Sequence, residues 1–297
     1  MPFLIIDVSG WPPAREEQLG TKPKQWLARP SDGGLWLWKE STWNVGKGGD
    51  PYRKGDDWSE RIACEVGRAL GIPVAEVELA SHHGRLGVVS RRFVNSSEGL
   101  VHGNELLAQQ NDPCSAPTYT VGTVMSVLSD VAPPDDHHAL PTAIDWFAGY
   151  LVLDALVGNT DRHIENWGVI RRTGDPDRLA PSFDHASSLG FLLDDDQRAE
   201  LLEGRDINRT VQAFASRTRT KFDDRPHTAD AALDLLAQLD PETRQHWITR
   251  VTSLESIDDV LHRVPASSMS ETARAFASSL YQENHAKLSQ GFRSLST

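Results

Sequence analysis

Gly158-Asn159-Thr160-Asp161-Arg162-His163-Ile164-Glu165-Asn166, read together with Ser182-Phe183-Asp184-His185, sets two carboxylates and an amide in an order that suits phosphoryl transfer. In such chemistry one carboxylate accepts a proton from the attacking hydroxyl. An amide and a second carboxylate hold the Mg²⁺ that neutralises the phosphates. Oxygen ligands suit this hard cation, which usually takes only one or two protein carboxylates plus phosphate and water.

The flanks support that reading. Residues 143–157, AIDWFAGYLVLDALV, are apolar almost all the way round, which predicts a buried helix. Gly158 and Asn159 suit its end. Beyond the loop, Trp167-Gly168-Val169-Ile170 and Leu179-Ala180-Pro181-Ser182-Phe183 read as two short strands around Gly174-Asp175-Pro176-Asp177. Asp184 then falls at the end of the second strand. Helix, loop, hairpin and carboxylate follow one another as in a kinase catalytic core. Taken singly, Asp161 and Asn166 are also ordinary turn residues, because short polar side chains bond their own backbone. Arg162 could meet a phosphate or a neighbouring carboxylate, and His163 reads as a brace for the loop.

Asn159-Thr160-Asp161-Arg162-His163 with Asn166, followed by Leu179-Ala180-Pro181-Ser182-Phe183-Asp184, resembles the catalytic segment of HipA-type serine/threonine kinases. The Asp-Arg-His-x-x-Asn run is also similar to phosphatidylinositol kinases. The resemblance is strongest over residues 143–192. It implies a two-lobed α+β fold, with Asp161 as catalytic base, Asn166 and Asp184 as Mg²⁺ ligands, and ATP as phosphoryl donor. The implied acceptor is a hydroxyl, with protein Ser or Thr favoured.

Weaker matches lie upstream. Gln18-Leu19-Gly20-Thr21-Lys22-Pro23-Lys24 is a turn leading into a strand, and the family's phosphate loop has a similar Gly-x-x-x-Lys shape there. Gly20 would let the backbone approach phosphate, with Lys24 beside it. An ordinary β-turn with two solvated lysines fits equally. Relatives often carry a phosphorylatable serine just before this glycine, where the present chain has Glu16, Glu17 and Gln18; that argues against self-inactivation of that style. In Leu35-Trp36-Leu37-Trp38-Lys39-Glu40, alternation puts Leu35, Leu37 and Lys39 on one face. Lys39 thus has the position of the lysine that holds nucleotide phosphates. By resemblance, Glu60 on the following helix pairs with it, Glu65 being the competitor. Arg92 and Phe93, in Arg91-Arg92-Phe93-Val94, resemble the point where the small lobe passes the adenine. Residues 44–57 read as a mobile loop, and Asp57 or Ser59 as the cap of a helix over 60–70.

These readings place a small β-rich lobe at residues 1–96 and a larger, mainly helical lobe at 97–297. Helices are expected over 119–130, 228–239, 242–262 and 268–290, the last opened by a Ser268/Glu271 capping box. The residue after Asp184 is His185, where protein kinases commonly have glycine. The extra N-terminal region of full-length HipA toxins has no counterpart here, so a DNA-binding antitoxin partner is not expected.

Composition is that of an ordinary globular chain: 297 residues, 39% hydrophobic and 24% charged. No apolar run approaches the ~18–20 residues of a membrane span, and a cytoplasmic location is expected. A formal net charge of −12 disfavours general nucleic-acid or anionic-membrane binding. Cys64 and Cys114 suggest neither a disulfide framework nor zinc. A lipid or small-molecule kinase shares the same core, and a pseudokinase would bind ATP without turnover. A phosphohydrolase using Asp161, His163, Asp184 and His185 would leave Lys39 without a role.

Overall fold

Residues 1–16, 24–110, 118–137 and 139–295 are described by the structure, a computed structural model. The chain opens with strands β1 (Ile6–Asp7), β2 (Pro13–Glu16), β3 (Lys24–Ala28) and β4 (Leu35–Glu40), then a small hairpin of β5 (Trp43–Val45) and β6 (Pro51–Arg53). Helix α1 (Asp56–Ala69), β7 (Val77–His82) and β8 (Arg85–Arg91) follow. Six of these strands form one sheet in the order β1-β7-β8-β4-β3-β2, antiparallel except where β1 runs parallel to β7. The alternation in β4 works as its sequence requires. Trp36 and Trp38 enter an apolar cluster with Val8, Leu27, Ala80 and Val89, while Leu37 and Lys39 line a cavity on the other face.

Next come β9 (Glu98–His102), α2 (Gly103–Gln110), α3 (Val121–Leu128) and α4 (Ala143–Val157). Then β10 (Gly168–Arg172) and β11 (Arg178–Leu179) join β9 in a three-stranded sheet. The remainder is helical: α5 (Asp195–Glu203), α6 (Val211–Ala215), α7 (Thr228–Ala237), α8 (Pro241–Thr252), α9 (Asp258–Arg263) and α10 (Glu271–Leu295). This is an α+β architecture with a β-rich small lobe and a mainly helical large one. A single apolar cluster holds α1, α4 and α7–α10 together. A second seam joins the lobes, where Ala75 donates to the carbonyl of Ser182 (2.9 Å) and Ser182 to that of Pro73 (2.8 Å). Among the described residues, no helix is long and apolar enough to cross a membrane.

Four local expectations need correction. Within residues 44–57, expected to be a mobile loop, β5 and β6 pair as a hairpin and α1 begins at Asp56; the hairpin is held by Asn44 Nδ2 to Tyr52 Oη (3.1 Å) and by Tyr52 Oη to the carbonyl of Leu192. Helix α1 starts earlier than the reading of its cap allowed. Asp56 reaches back to the Thr42 hydroxyl (2.8 Å), and Ser59 lies inside the helix with its hydroxyl on the carbonyls of Ala186 and Ser188 (both 2.9 Å). The helix over 242–262 is broken between α8 and α9. There Ser256 Oγ accepts from the N–H of Asp258 (3.0 Å) and the Tyr281 hydroxyl donates to the carbonyl of Leu254 (2.6 Å), so side chains replace helical partners. Finally, α10 is opened by Ser270, whose hydroxyl accepts from Ala273 N–H (3.0 Å), and not by Ser268.

Candidate active site

Helix α4 positions the site. Thr142 and Asp145 close a capping box at its start, and Gly158 ends it at φ 63°. Positive φ is strained for residues with a Cβ, so glycine suits this position. The chain then turns back on the helix. Asn159 donates its amide to Asp154 Oδ1 (2.8 Å) and accepts from the N–H of Asp161 (3.0 Å). Asn166 Nδ2 donates to the carbonyl of Asp161 (2.7 Å). That bond assigns the amide nitrogen to the loop and leaves the amide oxygen as the atom suited to a cation.

Arg162 is the brace beneath the loop. Its guanidinium grips Asp154 through Nε and Nη2 (both 2.7 Å) and reaches the carbonyl of Asn166 (2.9 Å) and the hydroxyl of Ser182 (3.0 Å). The alternative left open by the sequence, carboxylate or phosphate, is resolved in favour of the carboxylate. Ser182 Oγ also meets His185 Nε2 (2.8 Å), and His185 Nδ1 lies 3.8 Å from Cys64 Sγ on α1. Burial, then the nearby Arg162 charge, pushes His185 well below its ordinary pKa, so it is a neutral link. Burial likewise pushes the Cys64 thiol up to about 12. Between these supports Asp184 adopts φ 59°. His163 Nδ1 accepts from the N–H of Glu165 (3.1 Å), a brace within the loop.

Lys39, on β4, meets Asp184 Oδ1 at 3.2 Å and Glu60 Oε1 at 3.3 Å. Burial opposes the Lys39 charge, but the carboxylates of Asp184 and Glu60 outweigh it and raise the ammonium above the ordinary lysine value. Glu65 faces elsewhere, toward Arg61, Arg68 and Arg263. Ser59, anchored beside Glu60 on the segment after Asp184, fixes α1 at the height that makes this three-residue contact possible.

One cavity of about 940 Å³ collects these groups. Lys24, Lys39, Glu60, Arg92, Phe93, Asp161, Asn166 and Asp184 all line it. Gly20 lies outside the described residues. Phe93 packs against Phe183 (5.7 Å between ring centres), giving the cavity an apolar wall. Two groups at Asp161 escaped the sequence reading. Ser187 Oγ is 3.5 Å from Asp161 Oδ2, and Lys221 Nζ is 3.4 Å from Asp161 Oδ1. Lys221 is far away in sequence, and the only hint of it is the alternation of cations in Arg217-Thr218-Arg219-Thr220-Lys221.

Comparison with known proteins agrees with the architecture. The family model described as HipA-like C-terminal domain matches residues 14–251. Over 142 residues the chain is 30% identical to the serine/threonine-protein kinase CtkA of Helicobacter pylori strain J99; the alignment takes in 46% of this chain and 42% of that protein. The crystal structure of the Helicobacter pylori proinflammatory kinase CtkA matches with a TM-score of 0.73 at 20% identity, covering 98% of each chain. HipA from the Shewanella oneidensis MR-1 complex of HipA, HipB and operator DNA matches with a TM-score of 0.56 at 12% identity, over 93% of this chain and 65% of that one. At such identities the two structural likenesses are likenesses of fold.

Proposed function

The chain belongs to the HipA-like C-terminal domain family, and from that premise we propose that it is an ATP- and Mg²⁺-dependent kinase acting on a hydroxyl, foremost that of a protein Ser or Thr. The observation that carries the reading is Lys39 in contact with both Glu60 and Asp184, in a cavity also lined by Asp161 and Asn166. Residues from the two lobes meet there in the combination that phosphoryl transfer uses. The similarity to a named serine/threonine kinase supports the same conclusion.

Each residue then has a task. Lys39, held by Glu60, positions the donor's phosphates. Lys24 and the Gly20 turn are assigned to the same phosphates, and Arg92 and Phe93 to the adenine side. The N–H of Arg92 is already bonded to the carbonyl of Leu35 (2.9 Å), so base contacts fall to its carbonyl or to the backbone that follows. Asp184 and the Asn166 amide oxygen fit Mg²⁺, which needs few protein ligands when phosphate supplies others. When bound, that ion would neutralise charge on the phosphates. Asp161 accepts the acceptor's proton as its oxygen bonds to the γ-phosphorus and the bridging P–O bond to ADP breaks.

The test is incubation with γ-labelled ATP, Mg²⁺ and a panel of proteins and peptides, with Asp161→Asn run beside it. Transfer should fall by ~10²–10⁴-fold in the variant, while titration shows ATP·Mg²⁺ affinity within a few-fold of the parent. Transfer at the parental rate by Asp161→Asn would sink the assignment. Binding without transfer to any acceptor would favour a pseudokinase.

A further inference from the structure

The stretch from Arg217 to Phe222 alternates in exposure. Thr218, Thr220 and Phe222 are buried, whereas Arg217, Arg219 and Lys221 face solvent. The two-residue period puts one face of this strap on the protein, and Arg219 pairs with His227 in an isolated bridge. Its inner face is tied to the catalytic loop. The Phe222 ring packs on Tyr119 with 4.5 Å between centres, and the Tyr119 hydroxyl donates to the carbonyl of Arg162 (2.9 Å). The outer face ends at the chemistry, with Lys221 3.4 Å from Asp161.

The arginines on this strap differ from most others in the chain. The protein has 42 acidic residues for 30 basic ones, and arginines elsewhere commonly pair with carboxylates. Arg217 instead donates to the carbonyl of Asn208 (2.6 Å) and Arg219 to the carbonyl of Arg225 (3.1 Å). Among the described residues, none of Arg217, Arg219 and Arg225 forms an ion pair with a carboxylate. Asp223, the nearest acid along the chain, is exposed but gives one oxygen to the N–H of Tyr119 (2.7 Å). An acidic protein repels acidic ligands in general, so a row of cations beside its reactive carboxylate locally reverses that field.

We propose that the strap 217–221 is the docking edge for the acceptor, and that it takes an extended protein segment bearing acidic side chains next to the Ser or Thr that is phosphorylated. The proposal rests on the reading of Asp161 as the base, since Lys221 marks where the strap delivers its ligand.

The test uses the full chain and serine peptides that differ only in carrying Asp/Glu or Lys/Arg around the acceptor. Two readouts are taken, transfer from γ-labelled ATP and fluorescence anisotropy of the labelled peptides, the second independent of turnover. Acidic peptides should have the lower KM. Arg217→Glu/Arg219→Glu should raise that KM by ~10-fold or more, with kcat and ATP affinity within about threefold, and should shift preference toward basic peptides. The neutral Arg217→Gln/Arg219→Gln should fall between. An unchanged KM in the folded variant, or a parental preference for neutral or basic peptides, overturns the proposal. So does tighter strap-dependent binding of a folded RNA than of any acidic peptide. Charge-dependent peptide binding without transfer would sink the kinase reading and leave the docking edge standing. Transfer without acidic preference would do the reverse.

Discussion

Arg162 carries a full charge with only 2% of its surface exposed, and it lies outside the cavity lining. Burial works against the guanidinium, while the Asp154 carboxylate raises its pKa above the ordinary value. A buried ion pair is at best a modest source of stability. What Arg162 contributes is geometry, since one planar group fixes Asp154, Asn166 and Ser182 together. Glu98 shows the same economy at the other side of the cavity. Burial raises its pKa, but the N–H of Asn95 and the guanidinium groups of Arg178 and Arg172 outweigh that and lower it to about 2. A carboxylate whose folded pKa is depressed stabilises the protein above its unfolded pKa and loses that contribution as pH falls through the folded one. Stability should therefore fall between about pH 4.5 and 2 from this residue, and Glu98→Gln should flatten that part of the curve. Urea melts of both proteins across the range check it; parallel curves would contradict the assignment. Residues of this kind mark the limit of sequence reading. Asp161, Asn166 and Asp184 could be named because a short spacing and a family pattern carry them, whereas Ser187 and Lys221 meet Asp161 only through tertiary folding.

At the scale of elements, α4 was legible to the residue because a helix apolar almost all the way round, with Gly158 and Asn159 after it, has few other ways to fold. Helix packing was not legible. Gly149 lies inside α4, where a Cβ would lie 2.3 Å from the Trp247 ring. Helix propensity alone would favour Gly149→Ala by ~1 kcal/mol. Overpacking costs ~1–3 kcal/mol or more, so the variant should be destabilised. A higher melting temperature would refute this. The β4–α1 contact tells a similar story. A strand-end lysine seen in sequence supports little packing, but Lys39→Met removes the cation beside Glu60, which is 1% exposed. Breaking a buried pair costs ~3–5 kcal/mol, and adding Glu60→Gln should restore part of it. A double-mutant cycle by chemical denaturation measures the coupling, and strict additivity would show that the pair is not a unit. The breaks that escaped the sequence, at residues 253–257 and in the 43–53 hairpin, depend on Tyr281 and Tyr52 reaching across to distant carbonyls.

The whole molecule is drawn together by its first residues. Phe3 is buried between the guanidinium groups of Arg61 on α1 and Arg263 at the end of α9, 4.3 and 4.2 Å from its ring, and its N–H donates to the carbonyl of Arg263 (2.6 Å). The β-rich and helical parts therefore share a clasp as well as a core. Phe3→Ala should cost ~3–5 kcal/mol and shift far-UV circular dichroism and tryptophan fluorescence transitions together. Separate transitions would mean that the lobes melt independently.

The same clasp orders events during synthesis. Phe3 precedes its partner Arg263 by 260 residues of chain. At ~5–20 residues per second, that partner arrives on the order of tens of seconds later. Through that interval β1 can pair with β7 and Phe3 can stack on Arg61, but the contact of its ring with Arg263 is missing. The nascent small lobe thus waits with one aromatic side chain only partly covered until α9 is made. Sensitivity of yield to translation rate is the expected consequence of a contact whose two sides are made 260 residues apart.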